Sequence, residues 1–120
     1  MPTFITQGRY TPEAIRSMVG HPQDRSKEVE KLFAASGGKL LGYYMTFGEY
    51  DFLIISEGPD EGVAVSSIVA EAAGGVTDLK TVLAIPGPAM SEAFSRAASV
   101  AGGFRGPMQA ERAPTTQQAH

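Results

Sequence analysis

The chain has 120 residues and a formal net charge of −3 at pH 7, with 42% apolar and 19% charged residues. These values are typical of one globular domain rather than of a disordered segment. The negative charge and the lack of clustered Lys and Arg argue against a nucleic-acid partner. There is no cysteine, which excludes disulfides, thiolate nucleophiles, iron–sulfur clusters and cysteine-based zinc sites.

The sequence gives no sign of export or of membrane insertion. Residues 1–5 have neither the basic nor the apolar region of a signal peptide. No apolar run approaches the length that spans a bilayer. We therefore expect a cytoplasmic protein without a membrane partner, and we expect no cofactor and no metal.

The first half of the chain predicts one strand and two helices. Thr3–Tyr10 is rich in β-formers and predicts strand one. Thr11-Pro12-Glu13 is typical of a helix start, because Thr caps, Pro suits the first helical position and Glu favours the first turn. Gly20-His21-Pro22 breaks this helix. A second helix is predicted from about Gln23 to Ser36, and the pair Gly37-Gly38 ends it.

The middle of the chain predicts a β-hairpin. Lys39–Phe47 and Tyr50–Glu57 read as strands two and three. Only Gly48-Glu49 lies between them, and glycine in the first of two loop positions favours a type II′ turn.

The remaining elements follow from the same signals. Asp60 is predicted to cap a third helix that ends at Gly74-Gly75. Val76–Ile85 predicts strand four, and Ala89–Val100 predicts a last helix. Beyond it, residues 102–120 are rich in Gly, Pro, Gln and Thr, which predicts a flexible tail.

The order β-α-β-β-α-β is that of the ferredoxin-like fold, an α+β class. Right-handed crossovers place both main helices on one face of a four-stranded antiparallel sheet. We expect this domain, with the C-terminal helix, to occupy residues 1–101 and the tail to occupy 102–120.

The second face of this sheet is predicted to be apolar and uncovered. Strand three reads Phe52-Leu53-Ile54-Ile55, and such continuous runs indicate burial on both faces. At roughly 25 cal/mol per Å², a wet apolar face forfeits several kcal/mol. We therefore predict a homodimer or higher homo-oligomer, built as a dimeric α/β barrel. Strand two is apolar on both sides, with Leu40 and Tyr44 predicted on one face and Leu41, Tyr43, Met45 and Phe47 on the other.

Two carboxylates are candidates for catalysis. Asp51 could act as a base, with Tyr50 as a donor to a ligand, or it could fix the hairpin by bonding nearby backbone amides. Glu57 shares parity with Asp51 on strand three and could serve as an acid or base, or pair with Arg9 or Lys39.

Aromatic side chains are candidates for a pocket wall. Tyr10, Tyr43 and Tyr44 would line a small-molecule site, although barrel cores and interfaces use the same residues. Tyr43 and Tyr44 must face opposite sides of a regular strand. His21 could bind haem or move a proton, but its place between Gly20 and Pro22 favours an exposed or capping role.

The hairpin region carries a family resemblance. Gly42-Tyr43-Tyr44-Met45-Thr46-Phe47-Gly48-Glu49-Tyr50-Asp51, followed by Glu57-Gly58-Pro59-Asp60, resembles the GYD domain family. Arg9-Tyr10-Thr11 and the pair Pro22 and Arg25 resemble it too, and the match runs from about Thr3 to about Ala97. The resemblance implies a ferredoxin-like fold related to dimeric α/β barrels and leaves the function open.

Three functions fit these patterns. The first is a homo-oligomer that binds a small molecule. The second is a cofactor-independent isomerase or monooxygenase of the dimeric-barrel type, with Asp51 or Glu57 as its base. The third is a purely structural oligomer. The ligand of the first is predicted to lie near Tyr10, Tyr44, Tyr50, Asp51 and Glu57.

Overall fold

The order of helices and strands confirms the predicted ferredoxin-like, α+β fold. The computed structural model describes residues 1–108. Its elements are β1 Thr3–Tyr10, α1 Pro12–Gly20, α2 Ser26–Ala35, β2 Lys39–Met45, β3 Phe52–Glu57, α3 Asp60–Ala73, β4 Val76–Ala84 and α4 Gly87–Ala101.

The four strands form one sheet in the order β2-β3-β1-β4, and every neighbouring pair is antiparallel. Burial alternates along the central strands, so Phe4, Thr6, Phe52 and Ile54 are buried on the side of the helices. The opposite side is called the open face below. It carries Ile5, Gln7, Tyr44, Leu53, Ile55 and Val82.

The core is small and aromatic. Phe33, Phe52 and Ile54 are buried together, and the partly buried residues Tyr10, Val29, Leu40, Tyr43, Val76 and Leu79 pack against them. Gly8 makes room for this packing, because a Cβ at its position would lie 2.7 Å from Cζ of Phe52. Only a residue without a side chain lets strand β1 pass so close to that ring.

The predicted two-residue turn is wrong. Strand β2 ends at Met45 and β3 begins at Phe52, so residues 46–51 form the connection. Asp51 is bonded to β1: the Asp51 amide donates to the Gly8 carbonyl, and the Tyr10 amide donates to the Asp51 carboxylate, both at 2.8 Å. Asp51 is bonded across the connection as well, because its carbonyl accepts from the Thr46 amide at 3.0 Å, and Phe47 adopts a positive φ of 47° in the loop.

The prediction of which β2 side chains share a face of the sheet is also wrong in part. The register shifts between Leu40 and Gly42, so Leu41 is an extra residue in a β-bulge. As a result Leu40 and Tyr43 both pack against the core, while Tyr44 pairs with Leu53 on the open face. Leu40 therefore lies on the side of Tyr43, and the prediction had placed it with Tyr44.

The start of one helix agrees with the prediction from the sequence, and the starts of two others differ from it. The Thr11 side chain caps α1 by accepting from the Ala14 amide at 3.1 Å, as predicted. Asp60 is the first residue of α3, and Pro59 is its N-cap, so the predicted Asp60 cap is wrong. Pro59 is extended, which moves the cap one residue earlier. Helix α2 starts at Ser26 because the Asp24 carboxylate accepts from the Ser26 amide and forms a turn.

The chain divides into two units, Met1–Ala84 and a second that begins at Ile85. The second unit contains α4, whose Met90, Phe94 and Val100 are exposed. The predicted domain limit at residue 101 stays a prediction. Most of the predicted tail, residues 109–120, lies outside the described residues.

Candidate functional site

A cavity of about 470 Å³ lies in the first unit, between the sheet and helices α2 and α3. Its floor is formed by the strands, and its residues there are Thr6, Tyr10, Tyr43, Phe52, Ile54, Val76 and Leu79. Its helical walls comprise Arg25, Glu28, Val29, Lys31, Leu32, Phe33, Ser66, Ser67, Val69, Ala70 and Ala73, with Gly75 beside them.

Small residues on α3 leave this space open. Ser66, Ala70 and Ala73 recur at the spacing of one helix face, and all three line the cavity. Ser66 is buried, and its hydroxyl donates to the Val63 carbonyl at 2.9 Å. Because these side chains are short, α3 contacts the sheet without filling the volume above Tyr10 and Tyr43.

Two tyrosines place their hydroxyl groups together in the cavity. The Tyr10 and Tyr43 hydroxyls form a hydrogen bond with each other. Both rings pack against Phe52, with ring centroids 5.0 Å away for Tyr10 and 6.5 Å for Tyr43. Burial, assisted by the bond to Tyr43, raises the pKa of Tyr10 well above its usual value, so this phenol stays neutral at physiological pH.

Charged residues line the cavity on the side of α2. Lys31 pairs with Glu28 at 3.7 Å on the helix surface. The Arg25 guanidinium donates to the Gln23 amide oxygen at 3.2 Å. Among residues 1–108, no carboxylate oxygen lies within salt-bridge distance of Arg25. The positive charge of Arg25 lowers the pKa of Tyr10, against the larger effect of burial.

The remaining interior hydroxyl at the floor is already bonded. The Thr6 and Thr81 hydroxyls lie 2.9 Å apart and share a hydrogen bond between β1 and β4. The tyrosine pair likewise shares one bond between two hydroxyls, so it keeps one phenolic proton for a ligand.

The structure brings one of the predicted ligand residues, Tyr10, into the cavity. Asp51 lies behind it, with its carboxylate bonded to the Tyr10 amide. This is the backbone-fixing role that the sequence allowed. Tyr50 lies outside the cavity lining, with Arg9 5.5 Å and Lys80 5.9 Å from its ring centroid.

Two other predicted residues lie on the open face. Tyr44 is 57% exposed and lies opposite Leu53 in the strand register. Glu57 lies opposite Thr3 of β1 and Lys39 of β2. Neither lines the cavity. The catalytic and ligand-binding assignments thus stay predictions, and their residues are spread over two faces of the sheet.

His21 ends helix α1. Its amide donates to the Ser17 carbonyl at 2.8 Å, and the residue is exposed. This is the capping position that its neighbours favoured. Within residues 1–108, no group of three or more His, Cys, Asp or Glu could hold a metal ion, and no helix is long and apolar enough to cross a membrane.

Sequence reasoning did not single out Arg25 or Ser66 as cavity residues, and it placed Tyr43 only as one of three aromatic options. The bulge at Leu41 decides which of Tyr43 and Tyr44 faces the helices. A signal for the cavity existed in the small residues of α3, Ser66, Ala70 and Ala73, which repeat with the helical period.

Known proteins resemble this chain over most of its length. The family model described as GYD domain matches residues 4–94. A Thermus thermophilus protein named "Glutamine synthetase and cystathionine beta-lyase binding protein" is 31% identical over 87 residues, which are 72% of this chain and 90% of that protein. The crystal structure of a Thermus thermophilus protein matches 72% of this chain and 95% of its own, with 18% identity and a TM-score of 0.40. The chain belongs to the GYD domain family, as its hairpin sequence indicated.

Proposed function

We propose that this protein is a binding protein that holds a small organic molecule in the cavity between the sheet and helices α2 and α3. The observation that carries the proposal is the cavity itself. Its volume of about 470 Å³ is in the range of small-molecule sites, roughly 300–1,000 Å³. Such sites combine apolar walls with a few polar groups, and Phe33, Phe52 and the Tyr10–Tyr43 pair supply that combination.

The geometry favours binding over catalysis. An isomerase or monooxygenase without a cofactor needs a base within hydrogen-bond reach of its substrate. Asp51 is bonded to the Tyr10 amide, and Glu57 is on the open face. The one carboxylate that lines the cavity, among residues 1–108, is that of Glu28, which is exposed and paired with Lys31.

We further propose that the protein works as a homo-oligomer in which the open face meets a second copy. Val82 and Tyr44 are 59% and 57% exposed there, beside the half-buried Leu53 and Ile55. A continuous apolar patch of this kind marks a protein contact. A lysine at Val82 would place a charge in the contact, whereas a lysine at Val19, exposed on α1, would not.

Light scattering after gel filtration tests the assembly. We expect the wild type and the Val19→Lys variant to be dimers or higher multiples. The Val82→Lys variant should shift toward monomer while its circular dichroism stays unchanged. A monomeric wild type would contradict the assembly proposal.

Native mass spectrometry of freshly purified protein tests the ligand proposal. We expect extra mass that leaves on denaturation. The Ala70→Leu variant fills the cavity and should lose this mass, while Ala72→Leu, an exposed position on the same helix outside the lining, should keep it. No bound mass, together with no thermal shift from a small-molecule screen, would contradict the proposal.

A second candidate function is the binding of another protein. The relative from Thermus thermophilus is named for binding glutamine synthetase and cystathionine beta-lyase. The exposed apolar residues of the open face suit a protein partner as well as a second copy. Gel filtration of the purified protein with each purified enzyme tests this function, and co-elution that the Val82→Lys variant abolishes would support it.

A further inference from the structure

The tyrosine pair at the cavity floor keeps one phenolic proton for a ligand. The bond between the Tyr10 and Tyr43 hydroxyls uses one of the two phenolic protons. Within residues 1–108, neither hydroxyl has another hydrogen-bond partner. The second proton is therefore free to be donated into the cavity, where a ligand oxygen would accept it.

The charged residues on the cavity wall favour a negative ligand. Glu28 and Lys31 form an ion pair, which leaves Arg25 as the lining cation without a carboxylate partner among residues 1–108. Arg25 and the tyrosine pair line the same cavity. A guanidinium and a phenol proton together match the two oxygens of a carboxylate.

The rest of the lining is apolar. Val29, Phe33, Ile54 and Leu79 supply aliphatic and aromatic surface above and below the volume. A ligand body that is buried among them gains most when it carries no further polar groups, because a buried polar group without a partner costs free energy.

From these three observations, and resting on the proposed function, we infer that the cavity takes an apolar carboxylic acid: its carboxylate meets Arg25 and the Tyr10–Tyr43 hydroxyl pair, and its hydrocarbon or aromatic body lies between Phe33 and Leu79. The cavity thereby distinguishes an acid from a neutral compound of the same shape.

Two probes of one shape test the inference, namely 1-naphthoate and its neutral analogue 1-naphthamide. Their binding to the full-length protein is measured by calorimetry at pH 7 and low salt, since surface charge effects are screened at high salt. We expect the acid to bind about threefold to tenfold more tightly, the size of one partly exposed charge interaction. This preference should vanish in Arg25→Gln and persist in Arg16→Gln, a matched change on α1 outside the cavity.

The Ala70→Leu variant separates failure of this inference from failure of the proposed function. If both probes bind equally, or the amide binds more tightly, and Ala70→Leu abolishes binding, the cavity binds small molecules but the carboxylate inference is overturned. An acid preference that survives Arg25→Gln overturns it too. If neither probe binds the wild type, or if both bind Ala70→Leu as well as the wild type, the carboxylate inference is overturned, and native mass spectrometry with the small-molecule screen decides the proposed function separately.

Discussion

Replacing Gly62 with alanine tests the close packing of α3 against the end of α2. A Cβ at Gly62 would lie 2.3 Å from the Ser36 carbonyl oxygen, about 0.7 Å inside the shortest distance that real Cβ atoms show. The obstacle is backbone, so no side-chain rotation relieves it. Because backbone must move, we expect overpacking at the upper end of its usual range, about 2–3 kcal/mol, of which the better helix propensity of alanine returns about 1 kcal/mol.

The net loss is then about 1–2 kcal/mol, which lowers Tm by roughly 5–15 °C in a domain of this size. Urea unfolding followed by circular dichroism should show a lower midpoint with an unchanged m-value. Gly20→Ala is the matched control, because no atom lies within 4 Å of its Cβ position at the end of α1. A Gly62→Ala protein as stable as the wild type would refute the close approach of the two helices.

Three further predictions concern the tyrosine pair and its support. Tyr43→Phe should lower the free energy of unfolding by about 1–2 kcal/mol in urea, because it removes the partner of the Tyr10 hydroxyl, whereas Tyr44→Phe on the open face should change little. The raised pKa of Tyr10 should not make the free energy of unfolding depend on pH below about 10, the pKa of this tyrosine in the unfolded chain. Above about pH 10 the free energy of unfolding should fall, because the unfolded chain loses the phenolic proton before the folded chain does. Urea unfolding at pH 9–11.5 should show this fall in the wild type and a smaller one in Tyr10→Phe. Asp51→Ala should cost about 1 kcal/mol and speed hydrogen exchange of the Tyr10 amide, and Asp51→Asn, which keeps an acceptor, should restore much of the protection; equal exchange rates in all three proteins would contradict the role of this bond.

The order of helices and strands was predictable because local sequence signals mark where the helices begin and end. Thr11 and Pro12 begin α1, and the glycine pair after Ser36 ends α2, where Gly37 has a φ of +88°. Each signal acts on its immediate neighbours, so a reading of short windows finds it. The four-stranded sheet then follows from the order of elements and the handedness of their connections.

The bulge at Leu41 was not predictable from the pattern. An extra residue in a strand reveals itself when it disturbs the alternation of apolar and polar side chains. Strand β2 offers no such contrast, because Leu40, Leu41, Tyr43 and Tyr44 are all apolar or aromatic. Only the pairing with β3 shows that Tyr43 belongs to the side of the helices.

The connection between β2 and β3 was mispredicted for a different reason. Gly48-Glu49 has the local chemistry of a tight turn. One bond of this connection, however, joins the Asp51 carboxylate to the Tyr10 amide, 41 positions away in sequence. A contact between residues so far apart in sequence cannot be recognised from the pattern of a few neighbouring residues.

These two irregularities meet at one place in the molecule. The bulge at Leu41 turns Tyr43 toward the helices, and the Asp51 carboxylate holds the backbone of Tyr10, so the two features together set the positions of the paired hydroxyls. Each departure from regular strand geometry costs stability. Proteins therefore keep such departures mainly where a functional site needs them. Both departures act on the floor of the cavity, the bulge from the edge strand β2 and Asp51 from the connection that follows it, so the proposed ligand contact of the tyrosine pair depends on two features that lie outside the pair itself.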